Sequence, residues 1–168
     1  IEKKITSKTK VIAITHLSNV TGAILPVKEI TDLAHSKGII VVIDGCQGAP
    51  HLKLDMQDLD CDFYAISCHK MYGPNGLGIL YAKKKWLEEL PPYQGGGGMI
   101  SEVLKNKVSF ADTPTKFEAG TMQTADVVAF SEAINFIEAL GIKNIQNHEK
   151  EILEYGIEKL KKNNSVSI

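Results

Sequence analysis

The chain has no apolar run approaching the roughly 20 residues of a membrane-spanning helix, so no segment reads as a helical span. It has no excess of charge: 19 basic against 20 acidic side chains leave −1, and no basic run exceeds Lys83-Lys84-Lys85. Such a balance offers neither the electrostatic footprint of a nucleic-acid binder nor a patch for anionic lipid. The expected partner is a small molecule or a protein, with no nucleic acid and no membrane. Cysteine is scarce, and the odd set Cys46, Cys61 and Cys68 has no metal-ligand spacing. Free reduced thiols are therefore expected, with no disulfide framework and no metal site. The opening Ile-Glu-Lys-Lys is not a signal peptide, so a cytoplasmic location is expected. The first residue is Ile1 rather than Met, and the last ten read as a helix end running into an unfinished extended segment, which suggests a fragment.

What is present is the make-up of a globular domain, 43% hydrophobic and 23% charged over 168 residues. Val11-Ile-Ala-Ile-Thr15 is a short β-branched run of the kind buried on both faces of a sheet. Pro26 sits where a helix can start, Val27, Ile30, Leu33 and Ala34 share a helical face, and Gly38 follows as a stop. Ile39-Ile-Val-Val-Ile43 is a second continuous strand, halted at Asp44-Gly45. Strand, helix and strand in this order make a βαβ unit, which requires parallel pairing.

The predicted fold is therefore α/β, a mostly parallel sheet with one antiparallel strand and flanking helices. The third strand is Asp62-Phe-Tyr-Ala-Ile66; the antiparallel one is Ile79-Leu-Tyr-Ala82, reached through the tight turn Gly73-Pro-Asn-Gly-Leu-Gly78. After Trp86 a long loop is expected up to Gly120, including four consecutive glycines at 95–98. Two helices close the chain, one lined by Val127, Val128, Ser131, Ile134, Ile137 and Leu140, the other by Ile145, Ile152, Tyr155 and Leu160.

Ligands of open α/β sheets bind outside the carboxyl ends of the strands. The first strand here ends in Thr15-His16 with Asn19 beyond; the second in Asp44 with Gln47 three residues on; the third in Ser67-Cys68-His69-Lys70. An aspartate after a buried strand needs a cationic or hydrogen-bonding partner. A partly buried lysine at the same edge loses affinity for its proton and can condense with a carbonyl. Asp and Lys in one pocket meet the needs of pyridoxal phosphate, a Schiff-base amine and an anion for the pyridinium nitrogen. Ser67 and His69, with the turn amides near them, suit its phosphate. Singly, each residue has a plainer reading: Asp44 as a turn or a salt bridge to Lys70, Lys70 as a solvated loop lysine, and the histidines as structural. The 73–78 turn lacks the Lys-Ser/Thr of a nucleotide loop and precedes a strand.

The segment Ser67-Cys-His-Lys-Met-Tyr-Gly-Pro-Asn-Gly-Leu-Gly-Ile-Leu-Tyr81 resembles the cofactor-lysine segment of the class V, fold-type I pyridoxal-phosphate enzymes. Asp44-Gly-Cys-Gln47 resembles their Asp-x-x-Gln element, and Thr15-His-Leu-Ser-Asn19 their Asn-bearing strand end. Gly95-Gly-Gly-Gly-Met-Ile100 and Phe117-Glu-Ala-Gly-Thr121 narrow the resemblance to group II, Suf-type cysteine desulfurases. It implies that Lys70 is catalytic and holds the cofactor, that Asp44 pairs with the pyridinium, and that Gln47 hydrogen-bonds the phenolic oxygen. Ser67 and His69 would bind the phosphate, Asn19 would lie beside the cofactor, and Thr121 would reach the phosphate of a neighbouring subunit in a homodimer.

By the same resemblance, residues 1–142 are part of the cofactor-binding large domain, and 143–168 a helix leading toward a C-terminal small domain. The implied reaction takes L-cysteine to L-alanine and passes persulfide sulfur to a Suf-type acceptor protein for iron-sulfur cluster assembly. Neither Cys46 nor Cys68 matches the persulfide-forming cysteine, which with the substrate-gripping arginine is expected beyond Ile168, so the fragment alone should be inactive. Alternatives are a selenocysteine lyase or an aminotransferase on the same scaffold, or, from another class, a non-catalytic α/β binding domain. His16 lies near the pocket, either facing the ring or packing beneath it.

Overall fold

A computed structural model describes residues 1–167. Its centre is a four-stranded sheet in the order β1-β2-β3-β4, with β1 at Val11–Thr15, β2 at Ile40–Asp44, β3 at Phe63–Ser67 and β4 at Gly78–Ala82. The first three strands are parallel and β4 is antiparallel to β3, as the short turn before it requires. Helix α1, Val27–His35, is the crossover between β1 and β2. Pro26 precedes its first turn, Val27, Ile30, Thr31 and Ala34 form its buried stripe, and Gly38, at φ +66, turns the chain into β2.

That stripe covers one face of the sheet. Ile12, Val41, Ile43 and Tyr64 point toward it and form the core with Val27, Ile30, Ala34, Ile39 and Cys61. The alternate residues Val11, Ala13, Ile40, Val42 and Asp44 lie on the other face, which the Trp86 ring covers only at Phe63, 6.4 Å away in a stacked arrangement; Val11 is 48% exposed. Strand β1, expected to be buried on both faces, is thus covered on one. The apolar run reports the environment a strand is suited to, and the described residues supply β1 with only half of it.

At the N-terminal edge of the parallel strands, buried Asp62 ties three elements together. Its carboxylate accepts from Val41 N (2.8 Å), from the Trp86 indole (2.6 Å) and from His35 Nε2 (2.9 Å). Burial alone would raise this carboxyl, but the three donors outweigh it and hold it below the usual carboxylate range.

Two short helices, α2 at Gly48–His51 and α3 at Met56–Leu59, join β2 to β3. The long loop expected after Trp86 is corrected: helix α4 spans Lys84–Glu89, and an antiparallel hairpin joins β5, Ile100–Leu104, to β6, Lys107–Phe110. The glycines drew attention to the loop, and the hairpin's short strands are almost wholly exposed, so no burial pattern marked them.

Helices α5, Thr124–Leu140, and α6, Ile142–Lys161, meet at Gly141. The buried face of α5 is Phe130, Ala133 and Ile137; of the predicted face only Ile137 is buried, and Val127, Val128, Ile134 and Leu140 are exposed. Both faces of α5 are apolar, so periodicity alone could not choose between them. No residue of α6 is fully buried, and of its predicted face Ile152, Tyr155 and Leu160 are exposed. The helix is tethered instead by His51 Nδ1 to Glu149 (2.7 Å) and Gln146 to the His51 carbonyl (2.7 Å). Turns follow Lys161; of the extended end predicted there, Ile168 lies outside the described residues.

Candidate active site at the carboxyl edge of the sheet

Parallel pairing brings Thr15, Asp44 and Ala65 side by side, and the chain leaves the sheet at Thr15, at Asp44 and, two residues beyond Ala65, at Ser67. Backbone bonds clamp these exits: His16 N donates to the Asp44 carbonyl and Gly45 N to the Ala65 carbonyl, both at 2.9 Å. Asp44 Oδ1 accepts from Cys46 N at 3.0 Å. That N–H and the Cys46 thiol, with the Lys70 charge as a weaker contribution, hold the Asp44 carboxyl below its ordinary range despite partial desolvation. Asp44 and Lys70 form no ion pair among the described residues. Neither side chain is consumed by the other.

Lys70 sits in a 3-10 turn, Cys68–Met71, directly after β3. The turn is anchored from below: Cys68 is fully buried against Phe130 and Ala133 of α5, with Met71 and Leu77 beside them. Gly73 N donates to the Cys68 carbonyl at 3.0 Å, and a Cβ at Gly73 would lie 2.5 Å from the Phe130 ring. Tyr72 takes a left-handed φ of 61, costly for a residue with a side chain and common near functional sites. Ser67 Oγ and His69 Nδ1 lie 3.0 Å apart at the same edge, forming a small polar pair. Lys70 itself is exposed rather than partly buried as predicted, because nothing among the described residues walls off its outer side.

Gly45, read from the sequence only as a strand stop, and Gly48, which sequence reasoning passed over, shape the Asp44 loop. A Cβ at Gly45 would stand 1.8 Å from the Tyr64 ring, and one at Gly48 2.8 Å from the Tyr64 hydroxyl and 3.1 Å from His16. The loop thus folds directly over Tyr64, whose hydroxyl meets His16 Nδ1 at 2.8 Å with the two rings edge-on. His16 is buried beneath the loop, and burial lowers its pKa, so it is a neutral structural histidine here. The glycines on both sides of Cys46-Gln47 were the available signal.

Gln47 is half-buried, and its side chain makes no hydrogen bond among the described residues. Asn19 is exposed in the turn that follows β1, where Ser18 Oγ accepts from Val20 N and Thr21 N. Thr121 is exposed between the 3-10 turn Thr115–Phe117 and α5, with no hydrogen bond to the other candidate residues. Asp44, Gln47, Ser67, His69, Lys70 and Asn19 share the carboxyl edge; Thr121 is not joined to them within this chain.

On the bare face beside Asp44 lies a depression of about 330 Å³ lined by Ala13, Ile14, Thr15, Val42, Ile43, Asp44 and Ala65. Larger cavities of about 890 Å³, between β4, α4 and α5, and about 700 Å³, between α4 and the hairpin, contain none of the candidate residues. The site offers an anionic carboxylate with one oxygen not engaged, an exposed amine and a Ser-His pair. This donor set fits a cofactor with a cationic ring nitrogen, an aldehyde and a phosphate. The thiols offer little: burial pushes Cys46 and Cys68 up and Cys61 to about 11, which disfavours the thiolate a nucleophile requires. The chain contains no arginine.

The family described as aminotransferase class-V matches residues 1–168. A probable cysteine desulfurase of Halalkalibacterium halodurans is 47% identical over 160 residues, covering 95% of this chain and 39% of that protein. The crystal structure of the cysteine desulfurase CsdA from Escherichia coli superposes with a TM-score of 0.82 at 40% identity, over 85% of this chain and 36% of that one. A C-DES mutant with glycine covalently linked to the PLP cofactor superposes with a TM-score of 0.83 at 27% identity, over 94% of this chain and 44% of that one. The chain thus spans about two fifths of the length of the curated relative. With a match over its whole length, the chain belongs to the aminotransferase class-V family.

Proposed function

We propose that this chain is the cofactor-bearing part of a pyridoxal-phosphate-dependent cysteine desulfurase, which takes L-cysteine to L-alanine and passes the sulfur to an acceptor protein. The observation that supports the reading is the edge itself: adjacent parallel strands bring Asp44 and the turn bearing Lys70 to one edge of the sheet, and the two side chains form no ion pair with each other among the described residues. The names of the relatives support the substrate, and the PLP-bearing neighbour supports the cofactor.

Lys70 Nζ would hold the cofactor through its aldehyde, and its amine would be the base that moves the substrate α-proton. Asp44 keeps the ring nitrogen protonated; its low pKa preserves the required charge across the neutral range. Gln47 donates toward the phenolic oxygen, Ser67 and His69 bind the phosphate, and Asn19 lies beside the ring. When bound, the cofactor supplies the electron sink that stabilises negative charge at the substrate α-carbon. Thr121 serves the phosphate of a partner subunit, which makes the functional unit a homodimer. The raised thiols of Cys46 and Cys68 support a sulfur-accepting cysteine elsewhere in a longer polypeptide, and the absence of arginine from these residues supports the same for the substrate-carboxylate grip. Residues 1–142 then form the large-domain part and 143–168 the helix toward a small domain. A Suf-type acceptor, a role in iron-sulfur cluster assembly and a cytoplasmic site complete the reading.

Borohydride trapping tests it directly. With pyridoxal phosphate added to the parent polypeptide, reduction and peptide mapping should place the adduct on Lys70, and Lys70→Ala should abolish it. Labelling of Lys83 as readily as Lys70 would overturn the assignment.

A further inference from the structure

The four glycines at 95–98 are not equivalent. A Cβ at Gly96 would stand 2.9 Å from Gly120 N and 3.1 Å from both Ala119 C and Ala119 Cβ. Two of those atoms are backbone and cannot yield unless the whole 119–121 segment moves. One residue on, the Gly97 carbonyl accepts from Gly120 N at 2.9 Å. The far end of the run is held by Met99, which is fully buried and whose carbonyl accepts from Ala111 N at 2.9 Å. Gly120, at φ +95, then delivers the chain to Thr121, which is exposed and makes no hydrogen bond among the described residues. Gly95 and Gly97 have nothing within 4 Å of a built Cβ and no positive φ, so a methyl group fits at either.

We propose that Gly96 is a positioning residue for Thr121: its bare backbone lets the glycine run lie against residues 119–120 and so sets where the Thr121 hydroxyl is presented to the partner subunit. The proposal rests on the reading of Thr121 as a ligand of the partner's cofactor phosphate. It predicts that a side chain at 96, unlike one at 95 or 97, weakens cofactor binding in the dimer, and does so through Thr121 alone. Steric displacement at the backbone is the cause, since alanine at 96 adds no charge and removes no hydrogen-bonding group.

The test uses the full-length parent polypeptide as apo-dimer, titrated with pyridoxal phosphate and followed by cofactor absorbance, with the melting temperature of each apo-dimer as a fold control. Thr121→Ala should weaken binding about tenfold to hundredfold, as loss of one hydrogen bond to a charged group does. Gly96→Ala should weaken it comparably, and Gly95→Ala and Gly97→Ala by less than about twofold, as expected where no contact is disturbed. The Gly96→Ala, Thr121→Ala double variant should bind no more weakly than Thr121→Ala alone. Unchanged binding in Thr121→Ala overturns the reading of Thr121. A loss there with wild-type binding in Gly96→Ala, equal losses at 95, 96 and 97, or additive losses in the double variant each overturn the positioning role. If Gly96→Ala does not fold, Gly120→Ala disturbs the same segment through its φ without a contact within 4 Å, and wild-type affinity there overturns the proposal.

Discussion

Asp62 and Asp44 stand at opposite edges of one sheet, and their surroundings assign them different work. Asp62 is 1% exposed, with three donors satisfying its carboxylate, so it is structural. Its folded pKa is depressed, so its contribution to stability is fully present above the unfolded value near about 3.9 and is lost as pH falls through the folded value. Asp62→Asn should lower stability at neutral pH by about 3 kcal/mol, because an amide cannot accept from all three donors without burying an unmatched N–H. Urea melts at neutral and acidic pH check this: the deficit should shrink in acid, and a pH-independent deficit would contradict the ionic account. Asp44 has one oxygen free beside an open depression, which is wasteful for stability and suited to a ligand. Asp44→Asn in the parent should weaken cofactor affinity about tenfold or more, with Asp44→Glu recovering part of the loss, both read by cofactor titration.

At the scale of elements, the site depends on how closely loops approach the sheet. The Asp44 loop lies on Tyr64 only because Gly45 and Gly48 lack side chains. Gly45→Ala should cost about 1–3 kcal/mol through overpacking. Tyr64→Leu in the same chain should recover much of that cost, so the pair is strongly non-additive in urea midpoints; simple additivity would show that Tyr64 is not the obstacle. The βαβ order and the antiparallel β4 were legible because strand runs, Pro26, Gly38 and a tight turn are local signals. The hairpin and the buried face of α5 were not. An exposed two-stranded ribbon has no pattern of burial to display, and a helix apolar on both sides does not say which side meets Cys68.

For the whole molecule, the bare sheet face, the exposed hairpin and the apolar cavity of about 890 Å³ beside β4 leave much hydrophobic surface in water; Leu80 is 60% exposed. Surfaces of this kind in a soluble protein mark contacts with other polypeptide. The isolated 168-residue chain should therefore bind an apolar dye, self-associate beyond a dimer and release no alanine from cysteine, whereas the full-length parent should bind little dye, stop at the dimer and release alanine. Light scattering, dye fluorescence and an alanine assay decide it, and substantial alanine release by the isolated chain would refute the assignment of the sulfur-accepting cysteine to other polypeptide.

Local chemistry in the sequence was sufficient for the parallel βαβ unit, the antiparallel return and the polar strand ends from Thr15 to Lys70, because each is written in consecutive residues and in a topology that places strand ends together. Only the tertiary structure decided that His16 lies under the Asp44 loop, that Phe130 anchors the Lys70 turn, and that Gly96 presses on residues 119–120. Those contacts join residues far apart in the chain through side-chain volume and backbone spacing, and such distances are set by packing rather than by any local sequence signal.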